Sequence, residues 1–165
     1  MKEKIKAAMR KAFIGEAKAN LRLRVFSEKA KDEGYPQIAK LFSVIGFSEQ
    51  IHGTRVLRYL REIGTTEENL KESFESETNV ASHAYGEFIK EAEKLGDRTA
   101  VTVFAQSRDV EEIHAKLYKE ALDHMLEGEE ATYYVCTVCG YVSDGELPET
   151  CPICGVPKEK FVDFE

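Results

Sequence analysis

The chain has 165 residues, enough for one ordinary domain or for one domain with a small appendage. Apolar residues make up 42% of it, so a real hydrophobic core is possible. The net charge of −7 argues against a nucleic-acid-binding protein, which would present a basic face. No stretch approaches the roughly 18 apolar residues of a membrane span. The start, MKEKIKAAMRKAF, lacks the apolar centre of a signal peptide, which predicts an untargeted cytoplasmic protein.

The cysteines divide the chain into two parts. All four lie between positions 136 and 154, and the preceding 135 residues contain none. We therefore predict a main domain over residues 1–128 and a small cysteine-bearing module over residues 131–165.

The main domain has the residue pattern of four helices. Apolar residues recur every three or four positions, which is typical of one buried stripe on each helix. The runs end at breaker residues, namely Gly34-Tyr35-Pro36, Gly64, Gly96-Asp97 and Gly128. The Thr-x-x-Glu pattern from Thr65 to Glu68 predicts a capping box, and Asp97 can cap the fourth helix. Four helices of about 25 to 30 residues predict an all-α four-helix bundle.

Polar residues interrupt the apolar stripes at positions that the periodicity assigns to the core. They are Glu16, Glu49, His52, Glu77, Glu111 and His114. Two pairs have the form Glu-x-x-His, and this spacing places both side chains on one helix face. The other two helices supply one Glu each. His83 lies about 120° off its stripe and is interpreted as a flanking residue. His124 is interpreted as solvated.

These polar residues predict a site for two metal ions. An unpaired buried carboxylate costs several kcal/mol, so four of them would overwhelm a stability of about 5–15 kcal/mol. Arg108 is the only cation nearby in the stripes. One Glu from each of two helices, with Glu-x-x-His from each of the others, is the ligand set of ferritin-like di-iron bundles. These donors fit iron or manganese, and zinc also fits them.

The tail predicts a second metal site of a different kind. Its two Cys-x-x-Cys pairs contain Cys136, Cys139, Cys151 and Cys154. Two disulfides are the alternative, which a reducing cytosol disfavours. A module this small needs the metal to fold. Its predicted core consists of Tyr134, Tyr141, Phe161 and Phe164. The spacing leaves structural zinc and one-electron iron both open.

Taken together, these motifs resemble the rubrerythrins, which join a ferritin-like di-iron bundle to a rubredoxin-like module. The resemblance covers nearly the full length. It rests on Gly15-Glu16, Glu49-Gln-Ile-His52, Glu77, Tyr85-Gly-Glu-Phe88, Glu111-Glu-Ile-His114, Cys136-x-x-Cys-Gly-Tyr141 and Cys151-Pro-Ile-Cys-Gly-Val-Pro-Lys158. It implies a non-haem di-iron centre, a mononuclear Fe(Cys)4 centre and the reduction of hydrogen peroxide in oxidative-stress defence. Electrons would come from NAD(P)H through a rubredoxin or a reductase.

Two positions depart from this family pattern. Val80 stands three residues after Glu77, where rubrerythrins typically carry another Glu that takes part in a redox-linked shift of one iron. His52 is therefore expected to stay bound throughout. Leu23 stands where a Tyr is often found. The remaining six-ligand set resembles a bacterioferritin-like centre, which keeps open a ferroxidase that oxidises Fe(II) with dioxygen or peroxide.

The length of the fourth helix leads to an expectation about assembly. Glu111 precedes the predicted helix end by about 17 residues, or about 25 Å. The tail metal is therefore expected to lie far from its own di-iron site. This predicts a homodimer in which each tail serves the partner's bundle, with exchanged helices as one form. A structural or interaction protein with zinc in both sites is a further alternative.

Overall fold

The computed structural model describes residues 2–125 and 132–164. By its internal contacts the chain divides into two compact units, Met1–Gly64 and Thr65–Glu165. Within the described ranges, no helix combines the length and the apolar character needed to cross a membrane. The predicted end of the main domain at Gly128 lies outside the described residues, as does the predicted start of the module at residue 131.

The first unit is a pair of long helices, α1 (Glu3–Asp32) and α2 (Pro36–Leu60). They are joined by the predicted turn, where Gly34 takes a φ of 80° and the amide of Tyr35 donates to Ala30 O at 2.8 Å. A positive φ favours glycine, which has no Cβ to clash. Further along the pair, Asn20 Nδ2 donates to Gly46 O at 2.7 Å. This bond ties α1 directly to the backbone of α2.

Helix α2 ends four residues before the breaker predicted at Gly64. Arg61 caps it in the left-handed region, with a φ of 58°. The amides of Arg61 and Glu62 donate to carbonyls of the last turn, at 3.2 Å each. These bonds satisfy carbonyls that would otherwise lack partners, which offsets the strain of a non-glycine residue there.

The second unit begins with three helices, α3 (Thr66–Asn79), α4 (Tyr85–Leu95) and α5 (Arg98–Asp123). The predicted capping box is confirmed, because Thr65 Oγ1 accepts from the amide of Glu68 and Glu68 Oε2 accepts from the amide of Thr65. Asp97 caps α5 by accepting from the amide of Ala100 at 3.0 Å. Aromatic rings pack α4 on α5, with the centroids of Phe88 and Phe104 5.6 Å apart.

A π-helical segment, Val80–Ala84, separates α3 from α4, where the sequence predicts one continuous helix. Two hydroxyls bond back to carbonyls four residues earlier: Thr78 Oγ1 donates to Phe74 O at 2.7 Å, and Ser82 Oγ to Thr78 O at 2.6 Å. Such bonds compete with the helical ladder and bend helices slightly. They offer a local physical reason for the wider turn at this place.

The cysteine-bearing module is a three-stranded antiparallel sheet in the same unit. Its strands are β1 (Tyr133–Cys136), β2 (Val142–Asp144) and β3 (Phe161–Phe164), in the order β2-β1-β3. Tyr141 packs edge-on against Phe161, with centroids 6.2 Å apart. Phe164 was predicted to belong to the core, but it is 58% exposed. It stands at the end of β3, where the short sheet offers it little cover.

Candidate metal centres

The first unit brings three of the predicted ligands together. Glu16 comes from α1, and Glu49 and His52 lie one helical turn apart on α2. One donor atom from each lies within 4.8 Å of the others. His52 Nδ1 is 3.0 Å from Glu49 Oε2 and 3.8 Å from Glu16 Oε2. The hydrogen bond between the carboxyls raises the pKa of Glu16 and lowers the pKa of Glu49.

The second unit repeats this arrangement with different helices. Glu77 comes from α3, and Glu111 and His114 lie one turn apart on α5. Their donor atoms also lie within 4.8 Å of one another, and His114 Nδ1 is 2.9 Å from Glu111 Oε2. Burial raises the pKa of Glu77, and the charge of Glu111 raises it further.

Each ligand group suits one divalent cation. It offers two carboxylates and one imidazole, the donors that iron and manganese prefer, and its two negative charges balance one M²⁺ ion. Each group holds a carboxyl whose pKa is raised, Glu16 in one and Glu77 in the other. A raised pKa means that ionising the carboxyl costs free energy in the metal-free protein. A bound cation offsets this cost because it favours the ionised carboxylate. All six predicted ligands therefore fall into two chemically equivalent groups, one in each unit.

Several neighbouring polar residues play no part in these groups. Arg108 forms an ion pair with Asp109 at 2.6 Å, so its charge is already matched next to the ligands. His83 belongs to neither ligand group and hydrogen-bonds Ser82 Oγ at 2.7 Å through Nδ1. His124 is the C-cap of α5. Val80, three residues after Glu77, begins the π-helical segment.

The π-helical segment is a feature beside the ligands that the sequence reasoning missed. Single π turns inside helices occur often at functional sites, and this one begins within a turn of Glu77. No Gly or Pro marks it in the sequence. The only signal was the pair Thr78 and Ser82, both able to bond back to the helix.

The four cysteines lie on two loops of the same construction, knuckle 1 (residues 136–141) and knuckle 2 (residues 151–156). The first cysteine of each donates its amide to the last residue of its loop, Cys136 to Tyr141 O at 2.9 Å and Cys151 to Val156 O at 2.8 Å. The glycine that follows the second cysteine has a φ of 82° in knuckle 1 and 75° in knuckle 2. The module is therefore built around two equivalent turns.

The sulfur atoms have the spacing of a tetrahedral four-thiolate site. Cys136 Sγ is 3.7 Å from Cys154 Sγ, and Cys139 Sγ is 3.6 Å from Cys151 Sγ. Metal–sulfur bonds of about 2.3 Å give a tetrahedron with edges of about 3.8 Å. All four cysteines are free thiols, so the disulfide alternative is not what the structure adopts. Burial raises the pKa of the Cys139 and Cys154 thiols and so disfavours their thiolate forms. A bound metal offsets this cost because it stabilises the thiolates.

Knuckle 1 contacts the ligand group of the second unit. His114 Nε2 lies 3.3 Å from Gly140 O, and Val110 Cγ1 lies 3.9 Å from the position that a Cβ of Gly140 would take. If Nδ1 held a metal, Nε2–H would donate to this carbonyl and hold the orientation of the ring. The expectation that the tail metal lies far from the di-iron ligands of its own chain is therefore wrong for this group. The expectation assumed that the module lies beyond the C-terminal end of the fourth helix. Instead, Gly140 of the module contacts α5 at Val110 and His114.

The comparisons with known proteins agree with both parts of the chain. A family model described as Rubrerythrin matches residues 8–122, and one described as Rubrerythrin, rubredoxin-like domain matches residues 134–162. Rubrerythrin-2 of Clostridium acetobutylicum is 32% identical over an alignment of 173 positions, which covers 94% of each chain. Nigerythrin of Nitratidesulfovibrio vulgaris is 29% identical and covers 94% of this chain and 84% of its own.

The fold agrees as well. A solved structure of nigerythrin in a partially reduced state superposes with a TM-score of 0.60, at 29% identity, over 96% of this chain and 86% of the other. The predicted fold class, a ferritin-like helical bundle with a rubredoxin-like module, is confirmed. With ligand sets of the right chemistry and family matches over both parts, this chain belongs to the rubrerythrin family, with a non-haem di-iron centre and a mononuclear iron centre on its four cysteines.

Proposed function

We propose that this protein, a di-iron oxidoreductase of the peroxide-reducing rubrerythrin type, reduces hydrogen peroxide to water with electrons relayed through its Fe(Cys)4 centre. In this proposal the electrons originate from NAD(P)H, arrive through a rubredoxin or a reductase, and serve oxidative-stress defence in the cytoplasm. The observation that carries the relay is the contact of 3.3 Å between His114 Nε2 and Gly140 O.

The di-iron ligands in this proposal are the six residues of the two groups. Glu16 and Glu77 would each hold one iron, His52 and His114 would each hold one, and Glu49 and Glu111 would contribute a carboxylate to both. When bound, the ferrous pair supplies two electrons, one per iron, to cleave the O–O bond. The geometry within each unit supports these roles, because each histidine directs Nδ1 at the glutamate one turn before it.

The thiolate centre is assigned to Cys136, Cys139, Cys151 and Cys154. Its link to the bundle consists of three consecutive elements: the Cys139 ligand, the neighbouring carbonyl of Gly140 and the imidazole of His114. Electron transfer along this path needs no bridging water and no movement of a side chain. The same hydrogen bond holds the imidazole in one tautomer, because Gly140 O can only accept.

We also propose that the protein is a homodimer in which the two units of one chain combine with the complementary units of the other. Each unit holds half of a two-metal ligand set. The first unit also exposes large apolar side chains, which a second copy of the chain would cover. Those more than half exposed are Ile14, Leu21, Val25, Tyr35, Leu41, Val44, Phe47, Tyr59 and Ile63.

A ferroxidase that oxidises Fe(II) with dioxygen or peroxide is the second candidate. The observation in its favour is the apolar Val80, since no further carboxylate joins either ligand group among the described residues. The two functions differ in the source of electrons. A peroxidase turns over with a protein donor and retains its iron, whereas a ferroxidase consumes free Fe(II).

Steady-state assays test the choice between them. We expect peroxide consumption to require reduced rubredoxin and to continue without added Fe(II). The Glu111→Gln variant should lose this turnover, while Glu112→Gln on the exposed neighbouring position should keep it. Turnover that depends on free Fe(II) and ignores reduced rubredoxin would overturn the peroxidase proposal in favour of the ferroxidase.

A further inference from the structure

The two units repeat one residue pattern along the sequence. Each has a helix with one ligand glutamate and a later helix with Glu-x-x-His. When the units are aligned on these ligands, large apolar residues coincide as well, namely Phe13 with Phe74, Phe42 with Phe104 and Ile51 with Ile113. Two first units would therefore offer the same six donors as a first and a second unit together. The chemistry of the ligands does not decide which unit pairs with which.

Each unit also has an open cavity beside its ligand histidine. In the first unit a cavity of about 600 Å³ is lined by His52, Arg55 and Arg58. In the second unit a cavity of about 370 Å³ is lined by His114 and by Leu117, which stands three residues after the histidine as Arg55 does. The two units thus leave space at matching positions, and the lining is basic in one and apolar in the other.

The net charges of the two units are opposite. Residues 1–64 contain fourteen Lys and Arg against seven Asp and Glu, a formal charge of +7. Residues 65–165 contain nine against twenty-three, a formal charge of −14. Between matching positions the sign reverses in four places, Lys6 with Glu67, Lys11 with Glu72, Arg58 with Glu120 and Arg61 with Asp123. The chain's total of −7 therefore conceals a basic half and an acidic half.

Some of these opposite charges are not matched within their own unit. Lys11 and Arg58 in the first unit, and Glu72 and Glu120 in the second, are exposed and have no ion-pair partner in the described part of the chain. By contrast Arg10, whose matching residue Lys71 has the same sign, is paired with Glu62. The unmatched charges are available to a partner of opposite sign.

We propose that charge selects the pairing, so that the basic first unit of one chain docks on the acidic second unit of a second copy of this chain. The proposal rests on the exchanged dimer proposed above and names what specifies it. Opposite potentials attract unlike units, and like units repel each other. Without this repulsion a dimer of like units would also hold complete ligand sets, so specificity has to come from a feature other than the ligands.

Iron stoichiometry tests the pairing itself. The variant Glu111→Ala with His114→Ala keeps only the ligand groups of its first units. If first units paired with each other, the homodimer of this variant would still hold one complete six-ligand site. We expect metal analysis of the purified dimer to find no tightly bound iron pair, against two pairs in the unsubstituted dimer. About one iron pair per dimer of the variant overturns the proposal.

Matched charge variants test the cause of the pairing. Lys11→Glu with Lys40→Glu makes the first unit less basic, and Lys90→Glu with Lys160→Glu makes the second unit more acidic. All four side chains are exposed. Both variants change the charge of the whole chain equally, so simple repulsion between chains would weaken both dimers to the same extent.

Sedimentation equilibrium measures the dimer dissociation constant of each variant. At about 50 mM salt we expect the first-unit variant to dimerise about fivefold more weakly and the second-unit variant not to be weakened, because only the first loses attraction between unlike units. The difference should disappear at about 500 mM salt, where exposed charges are screened. Equal weakening of both variants, or no weakening of the first-unit variant, contradicts the proposal.

Circular dichroism establishes that each variant retains its helices. The failure of this proposal is distinguishable from a failure of the proposed function. The pairing experiments measure iron content and dimerisation, whereas the peroxidase proposal fails only if the unsubstituted iron protein does not consume peroxide with reduced rubredoxin.

Discussion

His114 Nε2 lies 3.3 Å from the carbonyl oxygen of Gly140, which joins a ligand of the bundle to the residue after the second cysteine of knuckle 1. One imidazole thus contacts both parts of the second unit, with Nδ1 directed at Glu111 Oε2 at 2.9 Å. A neutral ring has one donor and one acceptor nitrogen. Because Gly140 O can only accept, this contact requires the proton on Nε2, which leaves Nδ1 free to bind a metal beside Glu111. The contact accounts for both the position of the module and the orientation of the ligand.

Displacing knuckle 1 from α5 should slow electron transfer between the two centres. Val110 is buried and touches the Gly140 position, so Val110→Trp overpacks this contact at a cost of about 1–3 kcal/mol. We expect both iron spectra to remain while the rate of transfer from the thiolate centre to the bundle falls. Stopped-flow spectroscopy at the ferric thiolate band measures that rate. Val103→Trp, on an exposed position of the same helix, is the control. An unchanged rate in Val110→Trp would show that the contact carries no electrons.

Removing the ionisable group of Glu77 should stabilise the metal-free protein. Burial and Glu111 raise the pKa of Glu77, so the folded state binds a proton more tightly than the unfolded state, whose reference pKa is 4.5. The associated stability is present below that reference value and is lost as pH rises through the raised pKa. At pH 7, above the reference value, Glu77 therefore lowers the stability of the apo fold.

We expect Glu77→Gln to raise the Tm of the apo protein at pH 7 by a few degrees and to shrink the increase in Tm that added Fe(II) produces. Differential scanning calorimetry with and without metal measures both effects. Glu75→Gln, an exposed position on the same helix, should change neither. A lower apo Tm in Glu77→Gln, or full stabilisation by metal, would mean that this carboxylate is not a ligand.

The exchanged dimer predicts complementation between two inactive variants. One variant carries Glu49→Ala and His52→Ala, which removes ligands of the first unit. The other carries Glu111→Ala and His114→Ala, which removes ligands of the second unit. In an exchanged mixed dimer, one site receives both intact groups and the other receives none.

We therefore expect the purified mixed dimer to bind iron and to recover about half of the unsubstituted activity per dimer, the share of one complete site in two. Differently tagged, coexpressed variants provide the mixed dimer, and iron analysis with peroxide assays measures recovery. A dimer whose chains each build their own site gives no complete site in this mixture. Absence of recovery in a folded mixed dimer would thus exclude exchange.

Much of the site could be predicted from the sequence because its signals are local. Glu49 and His52, like Glu111 and His114, are one turn apart on helices whose periodicity is clear, so their shared face follows from helix geometry. The spacing of the cysteines likewise predicts a four-thiolate site. The capping box at Thr65 was also predictable, since both of its hydrogen bonds join residues three positions apart.

The rest depends on tertiary packing or on small competing energies. The module's position against α5 results from contacts such as Gly140 with His114, 26 residues apart, which no local pattern encodes. The π-helical segment and the left-handed Arg61 each replace one set of backbone hydrogen bonds with another of similar strength. The hydrophobic periodicity of the sequence indicates neither of these changes in backbone hydrogen bonding. The exposure of Phe164 follows from how little surface a three-stranded sheet can cover.

The measurement that tests the central claim most directly follows both centres in one reaction. The iron-loaded protein is reduced at both centres without oxygen and mixed with one equivalent of hydrogen peroxide in a stopped-flow spectrometer. We predict rapid reoxidation of the di-iron centre, followed by return of the ferric thiolate absorbance as the module delivers its electron. Glu112→Gln should behave in the same way, and Glu111→Gln should not react. A thiolate centre that stays reduced after the di-iron centre has been oxidised, or a protein that peroxide does not reoxidise, would contradict this account.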